Sequence, residues 1–288
     1  MINTGIIILH WHNKTEVEAL LRELVSWEVS ANELIIVDNS GDYERTDSSR
    51  QITVTSGHAN LGFAGGCNYG IKTAFEKDCQ RILLLNADIA LQKSDIVALH
   101  QMLDQNKTLA AVAPVLKEIR DGQVTFHKGG QHPLHHSNTR IVSNSGDNNS
   151  IAYLPGTVLL MRKEVIDEIG LLDEKYFFSG EIADWFLRLQ HTSWTFALHP
   201  DVVVEHFNSG NESYRLKHYI YYSLRNRYLF IQKFGGNQEV MLKQKWTNQL
   251  RRQLVGALLR FDFSKFMTIL HAVRDGVSGR YGKSEKFK

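Results

Sequence analysis

The stretch Arg81-Ile82-Leu83-Leu84-Leu85-Asn86-Ala87-Asp88-Ile89 constrains this chain more than any other. Its apolar run reads as a strand buried on both faces, the habit of a parallel sheet with helices on either side. Two polar residues close it, Asn86 and Asp88. They alternate, so they share one side if the strand continues through them. In open α/β sheets, ligands sit beyond the carboxyl ends of such strands. A carboxylate at that edge can hold a hard cation against a phosphate. The same Asp can equally cap the turn or helix that follows.

The flanking sequence repeats the theme. Gly5 to Leu9 is a buried strand, and Thr15 to Trp27 carries Val17, Leu20, Leu21 and Leu24 at helical spacing. Thr15 with Glu18 fits a capping box. Glu33 to Asp38 is a second strand ending in polar residues, and Ile52-Thr53-Val54 is a short third. Asn60 to Asn68 is a Gly-rich loop expected to run into a helix at Tyr69 to Glu76. Its glycines do not spell G-x-G-x-x-G, and no Walker A pattern occurs. Such a loop can offer N–H groups to a phosphate, or simply make a tight connection. Alternation of strand and helix predicts a mostly parallel, right-handed α/β sheet flanked by helices.

Leu109 to Leu116 is a further buried strand. Residues 120–152 are polar and His-bearing and are expected as a mobile loop over a pocket. Their histidines lack the Cys/His framework of a structural zinc site. Pro155 to Lys163 is a strand feeding the short helix Glu164 to Ile169. Glu181 and Asp184 open an amphipathic helix with both carboxylates on one face; acids in a first turn also match the helix dipole. Trp194–Leu198 and Val202–His206 read as two strands, the second ending in a histidine.

The ordered set Ile36-Val37-Asp38-Asn39-Ser40, Asn60 to Asn68, Leu84 to Asp88, Gly156 to Phe178, Glu181 to Arg188 and His206 resembles family 2 glycosyltransferases of the GT-A (Rossmann-like) fold. The rhamnosyltransferase-like bacterial branch is the nearest in pattern. The resemblance spans about residues 3–235, with Tyr221 to Asn226 similar to that branch's C-terminal helix. It implies an inverting, metal-dependent transferase. The donor would be a nucleotide-diphosphate sugar (dTDP- or UDP-linked, rhamnose among the candidates). The acceptor would be a growing glycan or a polyprenyl-diphosphate-linked glycan, as in cell-surface polysaccharide or O-antigen synthesis.

Residue by residue, the resemblance implies that Trp11 and Asp38 line the base pocket. Asn60, Gly62, Gly65 and Asn68 would lie beside ribose and diphosphate, with Asn86, Gly156 and Trp185 also on the substrate side. Asp88 would ligate a divalent cation, Mg or Mn, with His206 as a second metal or diphosphate contact. Ile182 stands where the family has the acid usually proposed as base, so Glu181 or Asp184 must take the acceptor's proton, Glu181 by preference. A sugar nucleotidyltransferase lacks support because its Arg- and Lys-bearing N-terminal loop is missing. A non-catalytic sugar-binding or scaffold subunit is the other alternative.

Charge sets the remaining expectations. A net charge of +2 gives no reason to expect nucleic acid. Residues 241–288 nonetheless hold eleven Lys/Arg against three Asp/Glu. Leu250, Leu254, Leu258, Phe261, Phe266 and Ile269 recur among them. That pattern reads either as an interfacial helix on an anionic leaflet or as a basic solvated face packed on the catalytic domain. The expected division is a catalytic domain at 1–235 and a helical extension at 236–288. Two cysteines and no signal-peptide pattern point to a cytoplasmic protein, peripheral on the inner face of the membrane.

Overall fold

The computed structural model describes residues 3–29, 33–49, 52–56, 59–120, 122–136, 140–142, 151–207 and 212–287. A ten-stranded sheet forms its centre. Strands β1 (Thr4–His10), β2 (Leu34–Asp38), β3 (Thr53–Thr55) and β4 (Arg81–Leu85) run parallel in the order β3-β2-β1-β4. These are the apolar runs of the sequence, and β1, β2 and β4 lie in the core because helices cover both faces. Beyond β4 the sheet is mixed. Strand β9 (Val158–Arg162) runs antiparallel between β4 and β6 (Leu109–Arg120), which pairs in parallel with β10 (Thr195–His206). The two-residue β5 (Ile89–Ala90) pairs with the end of β10.

Four local expectations change. Strand β4 stops at Leu85, so Asn86 and Asp88 lie in the turn to β5 rather than on a strand. Helix α1 (Lys14–Ser26) starts after Asn13 without the Thr15–Glu18 box. Glu18 is buried and accepts hydrogen bonds from Tyr43 Oη (2.5 Å) and Thr46 Oγ1 (2.6 Å). The two strands read at 194–206 are one, with an irregularity between His199 and Val203 where Pro200 sits. The stretch 120–152, expected as a loop, contains β7 (Gln123–Gly130) and β8 (Arg140–Val142), extending β6 as antiparallel neighbours; residues 137–139 and 143–150 lie outside the described residues.

Helices α2 (Gly62–Glu76), α3 (Lys93–Gln105), α4 (Lys163–Ile169) and α5 (Glu181–Leu189) complete the α/β part. Three helices follow, α6 (Glu212–Phe234), α7 (Glu239–Leu259) and α8 (Phe263–Val277). The last two share a core with α6: Trp246, Leu250 and Ile269 are buried with Tyr228 and Ile231. The C-terminal tail returns as well, stacking Phe287 on Tyr221 with ring centroids 4.1 Å apart. Segment 236–288 is therefore packed into the molecule, and removing it would uncover apolar residues of α6.

Candidate functional site

The site is built at the carboxyl ends of the strands. His206 is in register with Ile89, which carries the imidazole to Asp88. His206 Nε2 lies 3.4 Å from Asp88 Oδ1, and His206 Nδ1 lies 3.2 Å from Glu118 Oε1. The other oxygen of Glu118 meets His127 Nε2 at 3.1 Å. Burial opposes charge on His206, but its hydrogen bonds to Asp88 and Glu118 outweigh that, and its pKa is pushed up to about 9. Glu118 and His127 are both buried, and neither was expected from the sequence. The Asp121-Gly122 pair between them in the chain is a two-residue hairpin signal. Taken seriously, it folds β7 back on β6 and brings His127 towards Glu118.

One carboxylate and one imidazole side by side, the ring steadied from behind by a second carboxylate, would fit a divalent cation that displaces the Nε2 proton of His206 and keeps substrate oxygens in its other positions. Among the described residues, a different trio has ligand atoms all within 4.8 Å of one another: His10, Asp38 and Asp42. Asp38 is already occupied there. Its Oδ1 accepts from Ser40 N (3.1 Å) and Gly41 N (2.8 Å), and its Oδ2 from Tyr43 N (3.1 Å).

The second part of the site is the start of α5. Glu181 is buried and its Oε2 has no hydrogen-bond partner. Burial raises its pKa; its own backbone N–H holds the rise back in part, and Asp184 adds to it, so the group titrates at about 7. Asp184 is fully buried and differently placed. Its Oδ1 accepts from Tyr176 Oη (3.1 Å) and from Lys233 Nζ of α6, and its Oδ2 from Arg188 Nε at 2.9 Å. Three donors already engage Asp184, two of them cationic, which favours a positioning role over that of the base. Asp184→Ala is expected to destabilise the fold by roughly 1–3 kcal/mol, by leaving the buried Tyr176 hydroxyl unpaired and taking one partner each from Lys233 and Arg188, which keep Asp173 and the carbonyls of Ile169 and Leu171, without a specific acceptor-KM effect. Urea unfolding measures the first and steady-state kinetics the second.

The backbone before Glu181 is strained. Phe177 (φ 61°) and Ser179 (φ 68°) are left-handed, and only Gly180 (φ 111°) adopts such a conformation without penalty. Asn226 holds this turn. Its Nδ2 donates to the carbonyls of Tyr176 (2.9 Å), Phe178 (2.9 Å) and Ser179 (2.7 Å), while its Oδ1 accepts from Arg225. The Tyr221–Asn226 segment thus fixes where the carboxylate of Glu181 stands. Strain kept by so many bonds is a mark of functional loops.

The two parts join through one strand end. Asn86 N donates to Thr157 O at 2.9 Å, and a Cβ on neighbouring Gly156 would meet Ile182 at 2.7 Å. Gly156 is therefore a packing glycine, and Ile182 is a core residue pressed against it. That contact ties the Asp88 turn to the residue after Glu181.

Several residues expected at the donor are occupied internally. Trp185 is 1% exposed, and its indole N–H donates to Gly170 O at 3.1 Å, so it is a core residue and not a substrate contact. Asn68 is buried and clamps α2 to the 172–174 loop through Leu172 and Glu174. Asp38, as above, organises its own loop rather than lining a base pocket. The Gly-rich stretch is largely helix: α2 begins at Gly62, which has φ 72° and whose added Cβ would lie 2.2 Å from Phe177 O. Gly65 sits one turn on, with Leu61 2.9 Å from its would-be Cβ. Gly62 is the one that lets α2 and the strained turn approach. Asn60 Oδ1 caps the same start by accepting from Gly62 N at 2.8 Å. Trp11, half-buried, lies at the end of β1 against His12.

Comparison with known proteins agrees with this fold. A structure of a mannosyltransferase from Pyrobaculum calidifontis, in complex with GDP-Man and Mn2+, superposes with a TM-score of 0.57 at 11% identity. The match covers 96% of this chain and 88% of that one, and it shows the shared GT-A fold. Uncharacterized proteins of Mycobacterium bovis and of two Mycobacterium tuberculosis strains are each 29% identical over 143 residues, half of this chain. The chain spans about half the length of these relatives. The model of the glycosyltransferase-like family 2 matches residues 3–228, so the chain belongs to that family.

Proposed function

We propose that the protein transfers a sugar from a nucleotide-diphosphate donor to an acceptor hydroxyl with inversion at the anomeric carbon. The observation that carries this is the pairing of a cation-type edge, Asp88 with His206, and a buried carboxylate with a free oxygen, Glu181, across the Gly156–Thr157 contact. Asp88 and His206 would hold Mg or Mn, which when bound would supply positive charge to offset that of the departing diphosphate. Glu181 Oε2 takes the hydroxyl proton as the acceptor oxygen bonds to the anomeric carbon and the bond to the diphosphate breaks. Attack opposite the leaving group inverts the configuration. Asn86 borders the donor side, and Trp11 supplies an aromatic surface at the end of β1 for the base.

UDP- and dTDP-sugars, rhamnose included, are the first donors to try. GDP-sugars join them because the structural neighbour carries GDP-Man. A glycan or polyprenyl-diphosphate-linked acceptor on the inner face of the cytoplasmic membrane completes the reading, with cell-surface polysaccharide as product. The test is release of nucleoside diphosphate from a donor panel by the full chain with Mn2+, with NMR of the product anomer. One donor class turning over with inversion supports it. A retained configuration removes the single-base mechanism.

A further inference from the structure

Large apolar side chains are distributed unevenly over the described surface. Of eighteen that are exposed, ten lie between Val240 and Val277. Six of the ten crowd the turn from α7 to α8: Val255 (57% exposed), Leu258 (49%), Leu259 (74%), Phe261 (79%), Phe263 (61%) and Met267 (46%). The inner faces of both helices are already used against α6, so these residues project away from a finished core. The turn itself is well built. Phe261 N donates to Leu258 O (3.0 Å) and Asp262 N to Ala257 O (3.0 Å), and Asp262 Oδ1 caps α8 by accepting from Lys265 N (2.9 Å). Phe261 sits at φ 57°, an uncommon conformation for a bulky residue, held within that closed turn.

Charge identifies the occupant. Residues 240–274 contain seven Lys/Arg and one acid, Asp262, which is spent as the cap. Arg251, Arg252, Arg260 and Lys265 are exposed around the apolar tip. A second copy of this chain would bring the same cations face to face, which opposes pairing through this surface. An anionic bilayer offers both halves of the complement, acyl chains for the rings and phosphates for the cations. Among the described residues, no helix is long and apolar enough to cross a membrane. The sequence pattern alone suited a helix lying flat on a leaflet; the packing of α7 and α8 on α6 leaves the tip, not a helix face, for that contact.

We propose that the α7–α8 turn is a membrane-docking wedge that inserts Leu259, Phe261 and Phe263 at the acyl boundary of an anionic leaflet, with Arg251, Arg252, Arg260 and Lys265 on the headgroup phosphates. It deepens the reading of a membrane-borne acceptor, yet its test needs neither donor nor acceptor, so each can fail alone.

The full chain is floated with phosphatidylcholine vesicles with and without phosphatidylglycerol. Wild type is expected to bind the anionic vesicles and to lose binding as salt rises. Phe261→Ser with Phe263→Ser should lower partitioning at least about tenfold. Arg251→Gln, Arg252→Gln and Arg260→Gln together should do likewise, by removing three headgroup contacts. Both variants alter exposed residues, so thermal melts and vesicle-free donor turnover should match wild type. Absence of wild-type binding at low salt overturns the proposal, as does equal binding by the Phe variant or equal binding to neutral vesicles. A dimer in sedimentation that the Phe variant dissociates also overturns it, since the tip would then be a self-association surface.

Discussion

Glu181→Gln is expected to slow sugar transfer by about 10²–10⁴-fold while making the protein more stable above neutral pH. The rate effect is that of removing a general base. The stability effect follows from burial. The folded protein raises Glu181 from its ordinary 4.5 to about 7, whereas the unfolded chain ionises near the ordinary value. Between those values the native state binds more protons than the unfolded state, so stability falls as pH rises through that window. Glutamine does not ionise and escapes the loss, a gain on the order of 2–3 kcal/mol at pH 8. Donor affinity should change little. In wild type, kcat/KM should rise with pH through about 7 as the carboxylate deprotonates; the residual rate of the variant should lack that step. Urea titrations and pH–rate profiles on both proteins check each part. A catalytic loss accompanied by lower stability at pH 8 would instead mean that Glu181 is a structural residue.

Asp88→Ala is expected to abolish cation-dependent binding of nucleoside diphosphates and leave the fold intact. Asp88 stands in a turn with its side chain 12% exposed, and its substitution removes the carboxylate of the proposed pair. His206 alone cannot replace it, because oxygen ligands dominate Mg and Mn sites. Mn2+ affinity, read by paramagnetic relaxation of water in the presence of nucleotide, should drop by at least about tenfold, while Tm in the absence of both stays near wild type.

The parts of the fold legible in the sequence were those where one physical signal dominates. Strands β1, β2, β4 and β9 are unbroken apolar runs because helices cover both sides, and nothing competes with that reading. The start of α5 was legible from its paired acids, but not their division of labour. Asp184 meets Lys233 forty-nine residues away, and no local pattern reports such a partner. The Gly-rich stretch misled for a similar reason. Glycine there admits Phe177 against the first turn of α2, a tertiary contact that sequence cannot distinguish from a phosphate cradle. Trp194–Leu198 and Val202–His206 read as two strands, whereas an irregularity between His199 and Val203 lets one strand continue. His127 was hidden in a region read as loop from its polarity, and Glu118 just past the strand read at Leu109 to Leu116, although Asp121-Gly122 carried the hairpin signal. In the C-terminal helices the sequence showed apolar positions among basic ones but not which of them face inward; Leu250 and Ile269 are buried against α6, while Leu258 and Phe261 are exposed.

The central claim is that the Asp88–His206 edge binds a donor diphosphate through a cation. Calorimetric titration of the full chain with UDP, dTDP and GDP, in Mn2+ and again in chelator, tests it most directly. At least one nucleotide is expected to bind with Mn2+, to lose that binding in chelator, and to lose it equally in Asp88→Ala. Binding of the same strength without the cation, or unchanged in Asp88→Ala, would contradict the claim.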